Sequence, residues 1–318
     1  MSRMNFMIFK MIYIITLFLL GSIVNSKDIL KLPNNFKPIS YRLNVTTHLE
    51  YKFMFEGVVD IQMTCIEATD TIVLHSNRLD IDTRSVVVAN GGENVFPVGS
   101  VTFDPKKELM YVKSTKNFKP GDKYVLTIPF RGSLIGESGY YRNSYVDKEN
   151  NQTRWFAVTQ FEPAFARSAF PCFDEPQFKA KFKIILGHKK GLTSVSNMRI
   201  INESNSSLIP DYVFREFEES VPMSTYLVAY IVMSDLVYIE SDSREGEVKF
   251  RIIARKDATN QTDLAKKIGP LVLKYYEDYF DENFPLPKQD MVAIPDFHGG
   301  AMENWGLIIY RNSILWKM

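Results

Sequence analysis

The stretch Val59-Asp60-Ile61-Gln62-Met63-Thr64-Cys65 alternates apolar and polar side chains, residue by residue. Alternation of this kind predicts a β-strand that buries one face and exposes the other. Between Lys27 and Tyr238, turn-forming pairs such as Asn90-Gly91 and Pro120-Gly121 separate further runs of this character. They predict strands at Thr71–His75, Ser85–Ala89, Leu109–Lys113, Lys123–Phe130, Arg154–Gln160, Lys181–Leu186, Tyr212–Phe217 and Thr225–Met233. The sequence therefore predicts a mainly β protein whose first large domain is a sandwich or a saddle-like sheet.

The character of the chain changes after the polar residues 241–247. A strand is predicted at Val248–Ala254, and an amphipathic helix follows, because apolar residues then recur at helical spacing. Pro270 either kinks this helix or marks its start, and residues 284–287, with two prolines, are expected to end it. Short strands are predicted at Met291–Ile294 and Trp305–Tyr310. The apolar residues of the helix are Leu264, Ile268, Leu271, Val272, Tyr275, Tyr276 and Tyr279.

Composition and charge restrict the class of protein. The chain has 318 residues, of which 45% are hydrophobic, and its 38 basic and 37 acidic side chains leave a formal net charge of +1. A high apolar content with so little net charge predicts a folded globular protein rather than a disordered one. The same balance leaves no broad basic field, so we expect no nucleic acid among the partners.

The amino-terminal segment 1–26 differs from the rest of the chain. Arg3 and Lys10 supply positive charge, and the run Met11–Val24 contains no charged side chain. Because Val24 and Ser26 are small, the segment predicts a signal peptide that is cleaved after Ser26. The alternative is an uncleaved membrane anchor, although the run is shorter than the ~20 residues that a spanning helix needs.

Other residues also favour export. Asn-x-Ser/Thr acceptor sequences for N-glycosylation occur at Asn44, Asn151, Asn202, Asn205 and Asn260. Together with a signal peptide they predict a glycoprotein of the secretory pathway, located outside the cell or at its surface. In that compartment Cys65 and Cys172 either form a disulfide bond or remain buried free thiols.

The segment most indicative of function reads Ile294-Pro-Asp-Phe-His-Gly-Gly-Ala-Met-Glu-Asn-Trp-Gly-Leu307. Gly299 and Gly300 allow another chain to approach the backbone closely. Glu303 adds a carboxylate beside exposed backbone groups, an arrangement that suits a peptide with a charged amino terminus. Taken by composition alone, the segment is also compatible with a glycine-rich turn that carries a solvated acid.

The exact string resembles a known family. Gly300-Ala301-Met302-Glu303-Asn304 is the GAMEN motif of the aminopeptidase N family of zinc metallopeptidases, and the flanking IPDF and WGL are similar to that family as well. Thr159–Pro163, Arg167 and Phe170–Pro176 resemble the family's other signature. With two motifs in the family's order, over about Leu32–Ser313, the chain is identified as a member. The resemblance implies removal of single residues from peptide amino termini, by a saddle-like β domain joined to a thermolysin-like α+β catalytic domain.

The resemblance also implies roles for individual substrate-binding residues. Glu303 matches the glutamate that binds the free α-ammonium group, and Glu162 matches a second acid that helps to hold it. The backbone of Gly300-Ala301 matches the pair that aligns the scissile peptide as an added strand. Gln160 and Met302 match positions beside the pocket for the first side chain. The expected partner is therefore a peptide with a free amino terminus.

The family also implies a zinc ion, held by a His-Glu-x-x-His turn and a glutamate of the next helix. The histidines of this chain are His48, His75, His188 and His298. Even the nearest two, His48 and His75, are too far apart in sequence to share one helical turn. We therefore assign no catalytic residue and no metal ligand in this sequence.

The sequence ends at Met318, shortly after Asn304. We expect a truncated family member with a signal peptide or anchor at 1–26, a β domain at 27–241 and an incomplete start of the catalytic domain at 242–318. Alone, it is expected to lack hydrolytic activity and to expose apolar surface. The alternative is a non-catalytic secreted peptide-binding or decoy protein. Attachment of the full-length protein to a membrane is compatible with the amino-terminal segment.

Overall fold

The computed structural model describes residues 31–50, 52–91, 94–241, 248–297 and 299–315. The predicted signal segment 1–26, the polar residues 242–247 and His298 therefore lie outside the described part. In the described ranges the chain is mainly β, as the alternation predicted, and one long helix follows the first large set of strands. Within the same ranges, no helix combines the length and the apolar character that crossing a membrane requires.

The strands are numbered in chain order. The first ten are β1 (Phe36–His48), β2 (Met54–Cys65), β3 (Thr69–His75), β4 (Val87–Asn90), β5 (Asn94–Phe96), β6 (Val98–Asp104), β7 (Leu109–Phe118), β8 (Lys123–Ser133), β9 (Gly139–Val146) and β10 (Thr153–Gln160). The others are β11 (Lys181–Lys189), β12 (Thr193–Ser196), β13 (Ile200–Asn205), β14 (Tyr212–Phe217), β15 (Tyr230–Met233), β16 (Leu236–Glu240), β17 (Lys249–Arg255), β18 (Lys288–Ile294), β19 (Ala301–Met302) and β20 (Leu307–Arg311). The helices are α1 (Asp263–Phe280) and the short α2 (Asn312–Leu315).

These strands form four sheets in the described part of the chain. An eight-stranded sheet has the order β13-β14-β11-β1-β2-β8-β4-β5, and a three-stranded sheet has the order β3-β7-β6. A four-stranded sheet, β12-β15-β10-β9, carries the end of β10, and a five-stranded sheet, β16-β17-β18-β20-β19, carries the GAMEN segment. The described residues from Pro33 onward form one compact unit, so the two sheets that carry the motifs belong to the same body.

The alternation at residues 59–65 is confirmed in β2. Val59, Ile61, Met63 and Cys65 are fully buried, while the polar residues between them are partly exposed. β2 lies inside the eight-stranded sheet, antiparallel to β1 and to β8. One face of β2 therefore supplies core residues, which stabilises the sheet by burial of apolar surface.

Two predicted strands include residues that form 3-10 helices instead. The strand predicted at Ser85–Ala89 begins only at Val87, because Thr83–Ser85 is a short 3-10 helix whose first turn Asp82 caps by accepting from the N–H of Arg84. The strand predicted at Thr225–Met233 begins at Tyr230, after a 3-10 helix at Thr225–Leu227. The Thr225 hydroxyl donates to the Asp174 carboxylate, a tertiary bond that alternation cannot predict.

The predicted helix forms as α1, and Pro270 lies inside it rather than at its start. α1 ends at Phe280, before the prolines that were expected to end it, because Asp281 adopts a left-handed conformation with φ 53°. Ala265 is its buried residue and Leu273 is partly buried, whereas its other large apolar side chains are exposed.

A buried cluster joins the two sheets that carry the motifs. It contains Phe156 and Val158 from β10, Val292 from β18, Met302 from β19 and Ile309 from β20. Sheet membership changes between β15 and β16, at residues 234–235. The domain boundary predicted at residue 241 remains a prediction.

Candidate functional site

The GAMEN segment forms the edge of the five-stranded sheet. β19 pairs antiparallel with β20, so that Ala301 lies opposite Tyr310 and Met302 opposite Ile309. In the described part of the chain, β19 has no strand on its other side. The carbonyl oxygen of Gly300 accepts a hydrogen bond from the N–H of Arg311 at 3.0 Å. A short edge strand held in this way can pair with an extended peptide.

The two motif segments meet at Gln160 and Met302. The Nε2 atom of Gln160, at the end of β10, lies 3.7 Å from the sulfur of Met302. Met302 is buried in the cluster that also contains residues of β10. The Oε1 atom of Gln160 is buried and has no hydrogen-bond partner among the described residues. An unpaired buried acceptor at a surface edge is an atom that a bound ligand can satisfy.

Two exposed glutamates follow these contact residues in the chain. Glu303 follows Met302 directly, and Glu162 lies two residues after Gln160. Both side chains are exposed, and neither forms a hydrogen bond or ion pair with another described residue. Carboxylates without cationic partners can accept charge-assisted hydrogen bonds from an ammonium group. The structure thus brings together the segments that carry all six predicted residues, Gln160, Glu162, Gly300, Ala301, Met302 and Glu303.

A buried lysine anchors the loop after Glu303. The ammonium group of Lys288 donates to the carbonyl oxygens of Ser196 and Gly306, at 2.8 and 2.7 Å, and to the Asp290 carboxylate at 2.6 Å. Asp290 also binds Arg251 through two hydrogen bonds of 2.7 Å. Burial lowers the pKa of Lys288 to about 8, although the Asp290 charge opposes this shift. Lys288 was not identified from the sequence; its signal is a lysine two residues before Asp290 in a strand that ends with the apolar run Met291–Ile294.

A second buried polar group is centred on Asp174. Asp174 accepts from the guanidinium of Arg167 at 2.9 Å and from the Thr225 hydroxyl at 2.7 Å, and its N–H donates to Nδ1 of His75 at 3.3 Å. Burial, assisted by the Arg167 charge, lowers the pKa of His75 to about 3, so the ring is neutral. The second signature therefore supplies buried hydrogen bonds around Asp174.

The residues present do not fit a zinc ion. In the described ranges, no group of three or more His, Cys, Asp or Glu side chains is arranged to hold a metal. The three described histidines have other partners: His48 contacts Tyr212 and Glu56, His75 contacts the Asp174 backbone, and His188 contacts Ser194. We derive no step through zinc from these residues.

The cysteines and the predicted glycosylation sites can also be placed. Cys65 and Cys172 are both buried free thiols, and burial raises the pKa of each. Of the predicted acceptor asparagines, Asn44 lies partly buried inside the eight-stranded sheet. The other four, at Asn151, Asn202, Asn205 and Asn260, are exposed.

Comparison with known families adds a second line of support. A family model of the peptidase M1 N-terminal domain matches residues 37–227, which includes the end of β10. A model of the peptidase family M1 domain matches residues 265–317, which includes the GAMEN segment. The two matches occur in the same order as the two motifs.

Individual relatives are aminopeptidases by name. Endoplasmic reticulum aminopeptidase 1 of Homo sapiens is 38% identical over 291 residues, which is 90% of this chain and 30% of that protein. Aminopeptidase N of Haemonchus contortus is 37% identical over 298 residues, and aminopeptidase N of Homo sapiens is 36% identical over 300, each with the same coverage. The chain thus spans 30% of the length of these relatives.

Proposed function

Because the chain belongs to the peptidase M1 family, we propose that it binds the free amino terminus of a peptide at β19 and the end of β10. Glu162 and Glu303 hold the α-ammonium group, and Gly300-Ala301 pairs with the peptide backbone as an added strand. The observation that carries this proposal is the Gln160–Met302 contact, because it joins the two segments that bear the acids.

The unpaired atoms favour the same ligand. The buried Oε1 of Gln160 is an acceptor without a donor among the described residues, and both carboxylates are acceptors only. A ligand that supplies several N–H donors and a positive charge satisfies all three groups. The amino terminus of a peptide is such a ligand, whereas an acetylated terminus has lost the charge and all but one of the donors.

The same residues give a direct test. Glu303→Gln and Glu162→Gln keep the size of each side chain but remove its charge. We expect each to weaken binding of the tripeptide Leu-Gly-Gly about tenfold, or ~1.4 kcal/mol, in calorimetric titration. Glu175→Gln is the control, because Glu175 lies in the second signature but not beside the Gln160–Met302 contact. Unchanged affinity in both site variants would overturn the proposal.

We also propose that the whole protein is a zinc-dependent aminopeptidase, as the names of its relatives suggest. Zinc would supply activated water and polarise the scissile carbonyl. The sequence contains no pair of histidines at the spacing of the family's zinc motif. We therefore expect this chain alone to bind peptides without hydrolysing them. Turnover of an aminoacyl chromogenic substrate with added Zn²⁺, abolished by a chelator and by Glu303→Ala, would contradict that expectation.

The cellular setting is proposed on similar grounds. The predicted signal peptide, the exposed acceptor asparagines and a relative named for the endoplasmic reticulum support a glycoprotein of the secretory pathway, at or beyond the cell surface. The division into 1–26, 27–241 and 242–318 is part of the same proposal. Loss of mass on treatment with an N-glycosidase would support it, and an unmodified protein from a secreting cell would count against it.

A further inference from the structure

Asn197 ties three backbone segments together beside the GAMEN segment. The residue is 1% exposed. Its Nδ2 atom donates to the carbonyl oxygens of Leu227 and Trp305, both at 2.8 Å, and its Oδ1 atom accepts from the N–H of Ala229 at 2.8 Å. A side-chain amide has two N–H donors, so these bonds use both of them and the oxygen as well.

The bonds of Asn197 connect the chain segments that lead to the two acids of the proposed site. Ala229 lies directly before β15, and β15 pairs antiparallel with β10, which ends two residues before Glu162. On the other side, Trp305 follows Glu303 by two residues. Asn197 therefore bridges the strand pair that leads to one acid and the loop that carries the other.

The backbone around Asn197 is packed so closely that this bridge is rigid. Gly306 has a φ of 83°, and a Cβ atom added to it would lie 2.3 Å from the carbonyl oxygen of Asn197. Lys288 binds the carbonyl oxygens of both Ser196 and Gly306, one from each side of the contact. A protein interior packed in this way transmits a displacement rather than absorbing it.

Only an amide of this length satisfies the three partners. An aspartate would have the same shape but would place a carboxylate against two carbonyl oxygens and supply no donor. An alanine would leave the carbonyl oxygen of Trp305 and the N–H of Ala229 without these partners, and would leave the carbonyl oxygen of Leu227 with only the 3.4 Å bond from Asn304, which is costly. The chemistry of the position thus requires both the donors and the length of asparagine.

We propose that Asn197 is a positioning residue for the amino-terminus site. It fixes the separation of Glu162 and Glu303 so that one ammonium group contacts both carboxylates. This inference rests on the proposed function, because the acids matter only if they share a ligand. It adds to that function a residue that does not itself touch the peptide.

The test is a double-mutant cycle on the purified chain, with Leu-Gly-Gly as the probe. Asn197→Asp should weaken binding about tenfold when Glu303 is present, but less than about twofold in the Glu303→Gln background. Asn90→Asp is the matched control and should leave binding unchanged, because Asn90 begins an Asn-Gly turn in which aspartate is equally suitable. If Asn197→Asp does not unfold cooperatively, Asn197→Ser, which keeps one donor and one acceptor, takes its place, with an expected loss of about threefold.

The outcomes separate this inference from the proposed function. A loss that is the same in both backgrounds would show a general structural effect and overturn the positioning role. The unsubstituted chain could discriminate between free and acetylated peptide while the Asn197 variants bind the free peptide unchanged. That result would overturn this inference but not the proposed function. Equal binding of both peptides by the unsubstituted chain would overturn the proposed function and this inference with it.

Discussion

Helix α1 and the GAMEN segment are near neighbours in the chain, yet they are held in opposite ways. The loop that follows Glu303 is fixed by buried polar atoms, chiefly those of Asn197 and Lys288. Helix α1 leaves most of its apolar surface exposed, with Leu271 at 61% and Tyr279 at 67%. Its contact with the sheet is made by Ala265, Gly269 and Leu273, which pack against Phe250 and its neighbours.

This difference in burial indicates which contacts hold each segment in place. The placement of the GAMEN segment depends on β12, β15 and β18, all of which are in the described part of the chain. The apolar face of α1 has no comparable support there. Substitutions under the GAMEN segment should therefore be costly, whereas substitutions on the exposed face of α1 should change the free energy of unfolding little.

Removal of the buried ammonium group should give the largest effect. Lys288→Met removes the ammonium donor from the buried carbonyl oxygens of Ser196 and Gly306, of which the second keeps the N–H of Asp290. It also removes one of the two cations that Asp290 binds. We expect the free energy of unfolding in urea to fall by about 3 kcal/mol. Lys106→Met, at an exposed lysine, is the control and should cost less than about 0.5 kcal/mol. An equal loss of unfolding free energy in the two variants would show that the buried ammonium group does not stabilise the GAMEN segment more than an exposed lysine does.

Lowering the pH should give the next largest loss of folding stability, through the buried group that contains His75 and Asp174. The pKa of His75 is about 3 in the folded protein, below its ordinary value of 6.5. The unfolded chain therefore binds more protons in this window, and stability is lost as the pH falls below 6.5. Between pH 7 and pH 5 we expect a loss of about 2 kcal/mol from this group, before most carboxylates titrate. His188, whose pKa is also lowered by burial, adds to the slope.

The measurement is urea unfolding at several pH values for the unsubstituted chain and for His75→Asn. Asparagine can place an acceptor near the position of Nδ1, where the N–H of Asp174 donates, but it does not titrate. The variant should lose less stability than the parent over the same pH range. Parallel pH profiles would show that His75 is not responsible.

Substitution on the exposed face of α1 should give the smallest effect. Tyr279→Ser removes an aromatic ring. Among the rings of the described residues, that ring contacts only those of Tyr275 and Phe280, which lie in the same helix. We expect a change within about 0.5 kcal/mol in the free energy of unfolding. A loss above about 1 kcal/mol would mean that this face is covered in solution, and the contrast with Lys288 would then weaken.

Much of the fold followed from local patterns. The alternation at residues 59–65 predicted β2, and helical spacing predicted α1, because each pattern reflects which face an element buries. The starts of β4 and β15 were missed because side chains form competing hydrogen bonds there: Asp82 to its own turn, and Thr225 to Asp174. The parallel pairing of β17 with β18 brings together residues far apart in sequence, which no local pattern reveals.

The site was predictable only to the extent that it carries motifs. Glu303 and Glu162 were identified by resemblance, since an exposed glutamate has no distinctive sequence context. Asn197 and Lys288 act through tertiary contacts with residues that are distant in the chain. Sequence alone gave no reason to single them out, because an asparagine after a strand is most often part of a turn.

The central claim is that this chain recognises the charged amino terminus of a peptide. Calorimetric titration of the purified chain at pH 6.5, where the peptide terminus is protonated, with Leu-Gly-Gly and with N-acetyl-Leu-Gly-Gly tests it most directly. We predict that the free peptide binds at least about tenfold more tightly than the acetylated one, since acetylation removes the charge that Glu162 and Glu303 are proposed to hold. Equal affinity for the two peptides would contradict it.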